Sequence, residues 1–414
     1  MVTSVSIPEG TAPDLIIDLL GREHADALLT AERRAALNAT AGIQFLFDAG
    51  ENYLDEVNDW QARQAARTPS RHTRATRSTA LKTMIGWFAA RNLRWQDCTE
   101  LAHINLMQRA FRSAEAPVVS KGTWNQWMDH WWIFLKHAEK DGLIDSPSFD
   151  RTDLRERGKS VQVIRALSGE EFRRFVSAVG SQRMRAGCLA LMGTGLRIGE
   201  LAALKLSDIP DPQAPQHKGL SYIPAEIIGK GRKQRRIVWP LRALKAIAHY
   251  VNLERALAVE TLIQRVEGGE VRLEKTYLTR PHPASQGADL REQRDAPLWL
   301  AENGDPLSYH RWGKDFANVS KKSEIRCSPH LLRHSYAIVT LSMLIKAQIR
   351  QEIIDGHLGK SGHHKHFMHP LREVQERLGH ASLDTTMIYL DHIAEHRALI
   401  AMAVVDFETL YLDV

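Results

Sequence analysis

The chain has 414 residues, 43% hydrophobic and 25% charged, a balance that points to a globular protein of two or three domains, each able to bury its own core. No run of about eighteen apolar residues is present, which argues against a helical membrane span, and Glu9 and Asp14 interrupt the start before an apolar signal segment develops. A formal charge of +6 and a pI near 9.2 point to an anionic partner, nucleic acid foremost.

Residues 1–70 are expected to form an acid-rich helical N-terminal extension. Apolar residues recur at spacings of three and four over Asp14–Leu20 and Ala25–Leu37, and more loosely over Ala41–Leu54. Asp55, Glu56 and Asp59 cluster near its end, so the positive excess lies downstream. Pro69 and Ser70 break the pattern. Beyond them Arg71, Arg74 and Arg77 share one side of a predicted helix, and Leu81, Met84, Ile85 and Phe88 form its apolar stripe. A second helix, from Lys121 to Asp141, carries Trp124, Trp127, Trp131 and Trp132. Tryptophans at this spacing read as core, with base stacking as the alternative. Gly142 and Pro147 end that helix. The expectation is a compact helical DNA-binding domain over 71–155, a polar linker, and a further domain over 160–414.

In the last domain Ser168 and Glu171 form a capping box at a helix start. GTGLRIGEL follows, where Gly193 and Gly195 predict a close turn and Arg197 and Glu200 share a helix face. A surface ion pair explains that spacing. So does an arginine set among apolar residues to meet a phosphate. Ser221–Ile228 and Arg235–Pro240 read as a β-hairpin, with Lys230, Arg232 and Lys233 at a glycine-flanked tip. Such a tip is either solvated or set against a phosphate backbone. Pro240 to Arg265 predicts a long amphipathic helix, and 267–296 a surface insertion. Ser328 and Pro329 mark a helix start that places His330 and Arg333 on one face, near the anion-favouring N-terminus. His357, His363, His364, His366 and His369 crowd together, but no acidic or cysteine ligand stands at metal spacing, so a solvated loop is expected and no metal. The three cysteines, Cys98, Cys188 and Cys327, are scattered, which suits a reducing compartment. A short helix over Leu371–Leu378 stops at Gly379, before His380. Nine positions on, Tyr389 sits in a polar run, as either a surface aromatic or a nucleophile.

GTGLRIGEL, the GKGRK hairpin, SPHLLRH and LGHASLDTTMIY, in that order, resemble the tyrosine recombinases, or phage-type integrases. The resemblance covers about Ser168 to Ile393. It implies a fold that is mainly α with a small antiparallel β-sheet or hairpin, a helical core-binding domain preceding the catalytic one. It also implies that Tyr389 attacks a DNA phosphate to give a 3′-phosphotyrosine bond. Arg197 and Arg333 would clamp the non-bridging oxygens, and His330 would serve as general acid and base. His380 would donate a hydrogen bond to the phosphate, Lys230 would protonate the 5′ leaving oxygen, and Glu200 would orient the first arginine. Arg71, Arg74, Arg77, Lys121, Arg232, Lys233 and Arg235 are the candidate contacts to DNA. The implied partner is double-stranded DNA, bound by a homotetramer on paired sites that exchanges C-terminal tails, with further recombinase subunits or accessory proteins as additional candidates. No cofactor or membrane is implied, and the setting is cytoplasmic, associated with the nucleoid. The implied role is site-specific recombination for a mobile element. A type IB topoisomerase and a non-catalytic DNA-binding regulator are the alternatives. The sequence departs from compact family members in its N-terminal extension, in 267–296, and in the long gap between Arg333 and His380.

Overall fold

The computed structural model describes residues 2–6, 43–68, 70–113, 115, 117–156, 165–229, 234–280, 290–357 and 369–390. The chain divides into two compact units, Met1–Val161 and Gln162–Val414, each with its own hydrophobic core.

In the first unit, strands β1 (Thr3–Ser6) and β2 (Gln44–Phe47) pair antiparallel, and four helices follow: α1 (Asp55–Arg67), α2 (Arg71–Ala89), α3 (Leu101–Phe111) and α4 (Lys121–Lys140). Ser70 and Ser120 start α2 and α4 by accepting hydrogen bonds from the backbone N–H of Thr73 and Thr123. Trp124, Trp127 and Trp131 of α4 do form the core, with Trp132 packed partly buried against it; Trp131 stacks on Phe88 at 6.1 Å and Trp60 meets Phe134 edge-on at 5.2 Å.

The described part of residues 1–70 differs from a helical extension in two respects. The helix expected over Ala41–Leu54 is replaced by β2, because Phe45, Leu46 and Phe47 are all buried and a short apolar run of this kind pairs as a strand. The Asn58 side chain secures it, accepting from Leu46 N–H at 2.9 Å and donating to Leu46 C=O at 2.8 Å. Val2, Leu46, Val57 and Trp60 also share one core with α2 and α4. The expected helices over Asp14–Leu20 and Ala25–Leu37 lie outside the described residues.

The second unit begins with α5 (Gly169–Ser177), whose capping box forms as expected: Ser168 Oγ accepts from Glu171 N–H at 3.1 Å while Glu171 accepts from Ser168 N–H at 2.8 Å. The central helix α6 (Gln182–Thr194) runs through Gly193 and stops at Gly195, so the turn begins later than the sequence suggested. The short α7 (Ile198–Ala202) leads to the hairpin of β3 (Tyr222–Ile228) and β4 (Gln234–Pro240), registered from Tyr222 opposite Pro240 to Ile228 opposite Gln234. The amphipathic stretch forms α8 (Leu241–Tyr250) and α9 (Ala256–Glu267), joined through a π-type turn. Helices α10 (Tyr309–Ser323), α11 (Pro329–His357), α12 (Pro370–Leu378) and α13 (Asp384–Met387) complete the described elements. Helix α6 packs on α8, α11 and β4, and Leu191, Leu196, Trp239, Leu244 and Trp312 close the core around it.

The insertion expected at 267–296 is anchored at both ends rather than lying loose on the surface. Leu278–Thr279 pairs with Arg291–Glu292, and Tyr277, Leu278 and Ala296 pack on Ala258 and Leu262. Arg255, buried beneath, donates to Glu292 at 2.8 and 2.6 Å and to the Leu298 carbonyl at 2.9 Å. These long-range partners leave no trace in local periodicity. Among the described residues, no helix is long and apolar enough to cross a membrane, and no cluster of metal-ligand type occurs.

Candidate active site

The site is built on the end of α12. A helix leaves its last carbonyls without intrahelical partners and carries partial negative charge there. Gly379, at φ +64°, turns the chain so that its own N–H reaches the Glu376 carbonyl and the His380 N–H reaches the Gln375 carbonyl, both at 3.1 Å. This is a Schellman closure. The next three carbonyls each receive an arginine. Arg235 Nη1 donates to Arg377 C=O, Arg333 Nη2 donates to Leu378 C=O at 2.6 Å, and Arg197 Nη2 donates to Gly379 C=O at 3.4 Å. Three guanidinium groups from α11, β4 and the start of α7 are thereby gathered at one helix terminus.

Two further features fix this cluster. Arg333 Nη1 donates to the Gly195 carbonyl, which points inward because Gly195 adopts φ +66°. Glu200 bridges two of the arginines: it accepts from Arg197 N–H at 2.8 Å and from Arg197 Nη1 at 2.9 Å, and from Arg235 Nη2. Burial alone would raise the Glu200 pKa, but the Arg197 backbone N–H and the Arg235 charge outweigh it and hold the carboxylate below its ordinary range. Burial, together with the charges of Arg197 and Arg235, pushes Arg333 down to about 9, still cationic at neutral pH.

Tyr389 is no surface aromatic: it is 2% exposed and packs with Tyr336, Leu341 and Leu378. Its Oη lies 3.0 Å from His334 Nδ1, and His334 Nε2 lies 2.8 Å from His330 Nε2. Burial raises the phenol pKa, while Arg333 and Arg197 pull it the other way. The His380 ring stacks beside Tyr389 with centroids 6.3 Å apart, and its Nδ1 meets Thr386 Oγ1 at 3.0 Å. Burial and the charges of Arg333, Arg197 and Arg235 lower His380 to about 4, so it is neutral at pH 7. Partial burial and Arg333 also hold His330 below the usual histidine range. A cleft of about 800 Å³ opens beside the cluster, lined by Arg197, Arg235, Gly379, His380 and Thr385.

Arg197, Glu200, His330, Arg333, His380 and Tyr389 are thus brought together. Lys230, Arg232 and Lys233 lie outside the described residues, as does most of the histidine-rich stretch. Arg235, expected on the second strand as a contact to DNA, is buried in the cluster. Its signal was present in the alternation of β4, because Arg235 shares a strand face with the buried Ile237 and Trp239. In the first unit, Arg71 is exposed, Lys121 half-buried, and Arg74 donates to the Thr68 carbonyl at 2.7 Å. Arg77 turns inward, buried with its guanidinium 5.3 Å from the Trp60 ring centroid, and so departs from the expected contact to DNA. His334 was missed, although its position one turn beyond His330 placed it on the same helix face.

Arginines and histidines thus gather around a buried tyrosine hydroxyl, with Arg197, Arg235 and His380 also lining the adjacent cleft. Residues 165–362 match the model of the phage integrase family. The chain is 28% identical over 208 residues to tyrosine recombinase XerC of Neisseria meningitidis serogroup B, covering 49% of this chain and 47% of that protein. It is 28% identical over 264 residues to XerC of Brucella suis biovar 1, covering 62% of each. The chain therefore spans about half the length of the first of these curated relatives. Its fold is similar to that of the XerH site-specific recombinase bound to palindromic difH substrate, with a TM-score of 0.51 and 16% identity over 96% of this chain and 99% of that one. It is also similar in fold to the Tn1549 transposon integrase in complex with transposon right end DNA, at TM-score 0.50 and 15% identity over 83% and 97%. Within the second unit, residues 165–362 are thus similar to the phage integrase family, and the chain is similar in sequence to tyrosine recombinases.

Proposed function

We propose that this protein is a site-specific DNA recombinase that cleaves and rejoins strands through a 3′-phosphotyrosine intermediate, in the service of a mobile element. The observation that carries the reading is the placement of the Tyr389 hydroxyl, bonded to His334 and electrostatically coupled to Arg333 and Arg197. Attack on a phosphodiester builds negative charge on the non-bridging oxygens, and preorganised cations stabilise that charge where it forms. Arg197 and Arg333 hold those oxygens, with Arg235 completing the positive surround. Neutral His380 donates a hydrogen bond to the phosphate. Lys230 protonates the 5′ oxygen as it leaves. The covalent bond to Tyr389 stores the phosphodiester energy, so rejoining needs no external energy source.

The active assembly is a tetramer on two paired sites. Ile393, Leu399, Ile400, Val404, Val405, Phe407 and Leu410 supply the apolar positions of a tail that docks on a neighbouring protomer. Truncation after Ala394 is expected to abolish DNA-bound tetramers while monomers still bind DNA. Intact tetramers of the truncated chain on a sizing column would refute tail exchange.

The test of the chemistry is covalent capture. The protein is incubated with a pool of nicked duplexes carrying randomised arms, and protease-sensitive DNA adducts are recovered and sequenced. The wild-type protein is expected to select a recurrent site, and Tyr389→Phe to bind that site without forming the adduct. An adduct that persists in Tyr389→Phe would remove Tyr389 as the nucleophile. On the selected duplex, Lys230→Ala is expected to slow cleavage by about 100-fold or more, the usual range for loss of general acid catalysis. A 5′-thio leaving group, which needs no proton, should restore the rate.

A further inference from the structure

We infer that His334 is a catalytic residue, a proton relay that carries the Tyr389 hydroxyl proton to His330; this deepens the strand-transfer reading and rests on it. The geometry is a continuous chain of three groups. Tyr389 Oη and His334 Nδ1 are 3.0 Å apart, and His334 Nε2 and His330 Nε2 are 2.8 Å apart. The two imidazoles stand one helical turn apart on α11, edge to face, with centroids 4.1 Å apart. A phenol that donates to Nδ1 places the His334 proton on Nε2. That proton then faces a bare His330 Nε2.

The tyrosine has no other histidine on its oxygen among the described hydrogen bonds; His380 stacks against the ring, its Nδ1 engaged with Thr386. Tyr389 is sealed from solvent, whereas His330 is exposed at the other end of the chain. A proton leaving the phenol therefore has a route through His334 to a group that reaches water or DNA. In the forward step the phenol proton moves to His334 Nδ1 as the His334 Nε2 proton moves to His330 Nε2. The phenolate oxygen forms its bond to phosphorus as the bond to the 5′ oxygen breaks. His334 ends neutral and His330 ends cationic. Rejoining reverses each movement and returns the proton to the departing phenol. The charges facing this chain are Arg333 on α11, Arg197 at the start of α7, Arg235 on β4 and, beyond the α12 turn, neutral His380. Arg333 and Arg197 favour the phenolate, and a His334 that ends neutral adds no further positive charge beside them.

Two measurements decide the matter. In the free wild-type protein, long-range proton–nitrogen correlation spectra of the histidines are expected to show His334 neutral, protonated at Nε2 and bare at Nδ1. A proton on Nδ1 would overturn the relay. On the nicked duplex selected above, His334→Asn keeps a hydrogen bond to the phenol but cannot pass a proton. Its DNA affinity is expected to match wild type, with cleavage slowed about 100-fold. Replacing Tyr389 in that variant by 3,5-difluorotyrosine, a more acidic phenol, should recover about tenfold at neutral pH, whereas a 5′-thio leaving group should recover nothing. A wild-type rate in His334→Asn, or no recovery with the fluorinated phenol, sinks the relay. Absence of any adduct with the wild-type protein sinks the strand-transfer reading instead.

Discussion

At the scale of single residues, the cluster is tuned by charge. His380 has its pKa lowered to about 4, beneath an unfolded histidine near 6.5, so the folded state prefers it neutral. The sign follows from linkage: below about pH 6.5 the unfolded chain binds a proton that the folded site refuses, and stability falls as pH drops from there toward 4. Because His380 is half-buried, the loss is expected to be about 1–2 kcal/mol, and His380→Gln should flatten the fall of Tm measured across that window. Glu200 and Arg235 form a pair in which both side chains are under 10% exposed, at 7% and 5%. Removing one partner strands a buried charge, so Glu200→Gln and Arg235→Met are each expected to cost about 3 kcal/mol in urea unfolding. Together they should cost clearly less than the sum, and simple additivity would show that the pair does not couple. Arg197, Glu200, His330, Arg333, His380 and Tyr389 were all legible in the motifs. Arg235 and His334 needed a strand face and a helix turn to be counted, and Tyr389's burial depends on α11 and α12 packing over it, which no local pattern encodes.

Among the elements, the turn after α6 and the turn after α12 do equivalent work. Each closes its helix with a left-handed glycine and presents a carbonyl to an arginine. A Cβ at Gly195 would stand 2.3 Å from the Tyr336 ring. Gly195→Ala is therefore expected to lose about 2–4 kcal/mol, from positive-φ strain and overpacking together, and to weaken DNA binding by displacing Arg333. A stability within about 0.5 kcal/mol of wild type would refute that packing. The elements that the sequence predicted well are those with strong local grammar: the capping box before α5, the tryptophan stripe of α4, the β3–β4 hairpin and the proline start of α11. The failures are long-range. Gln44–Phe47 is a strand because Thr3–Ser6 lies beside it, and the ends of 267–296 are ordered because Arg255 holds Glu292 from α9's approach.

For the molecule as a whole, two separate cores imply two separable folding units. Residues 1–161 hold Trp60, Trp87, Trp95, Trp124 and Trp131 in their core. Expressed alone, that segment is expected to unfold in one cooperative transition followed by tryptophan fluorescence; a broad, non-cooperative melt would show that it needs the rest of the chain. The phage integrase match, residues 165–362, falls within the second unit. One consequence belongs to the shuttered tyrosine. On the proposed chemistry, a nucleophile 2% exposed does not react with DNA that merely brushes the surface. The frequency of accidental strand breaks would then be governed by how often that residue is uncovered, not by how often DNA is met, so such a protein could patrol DNA without scarring it.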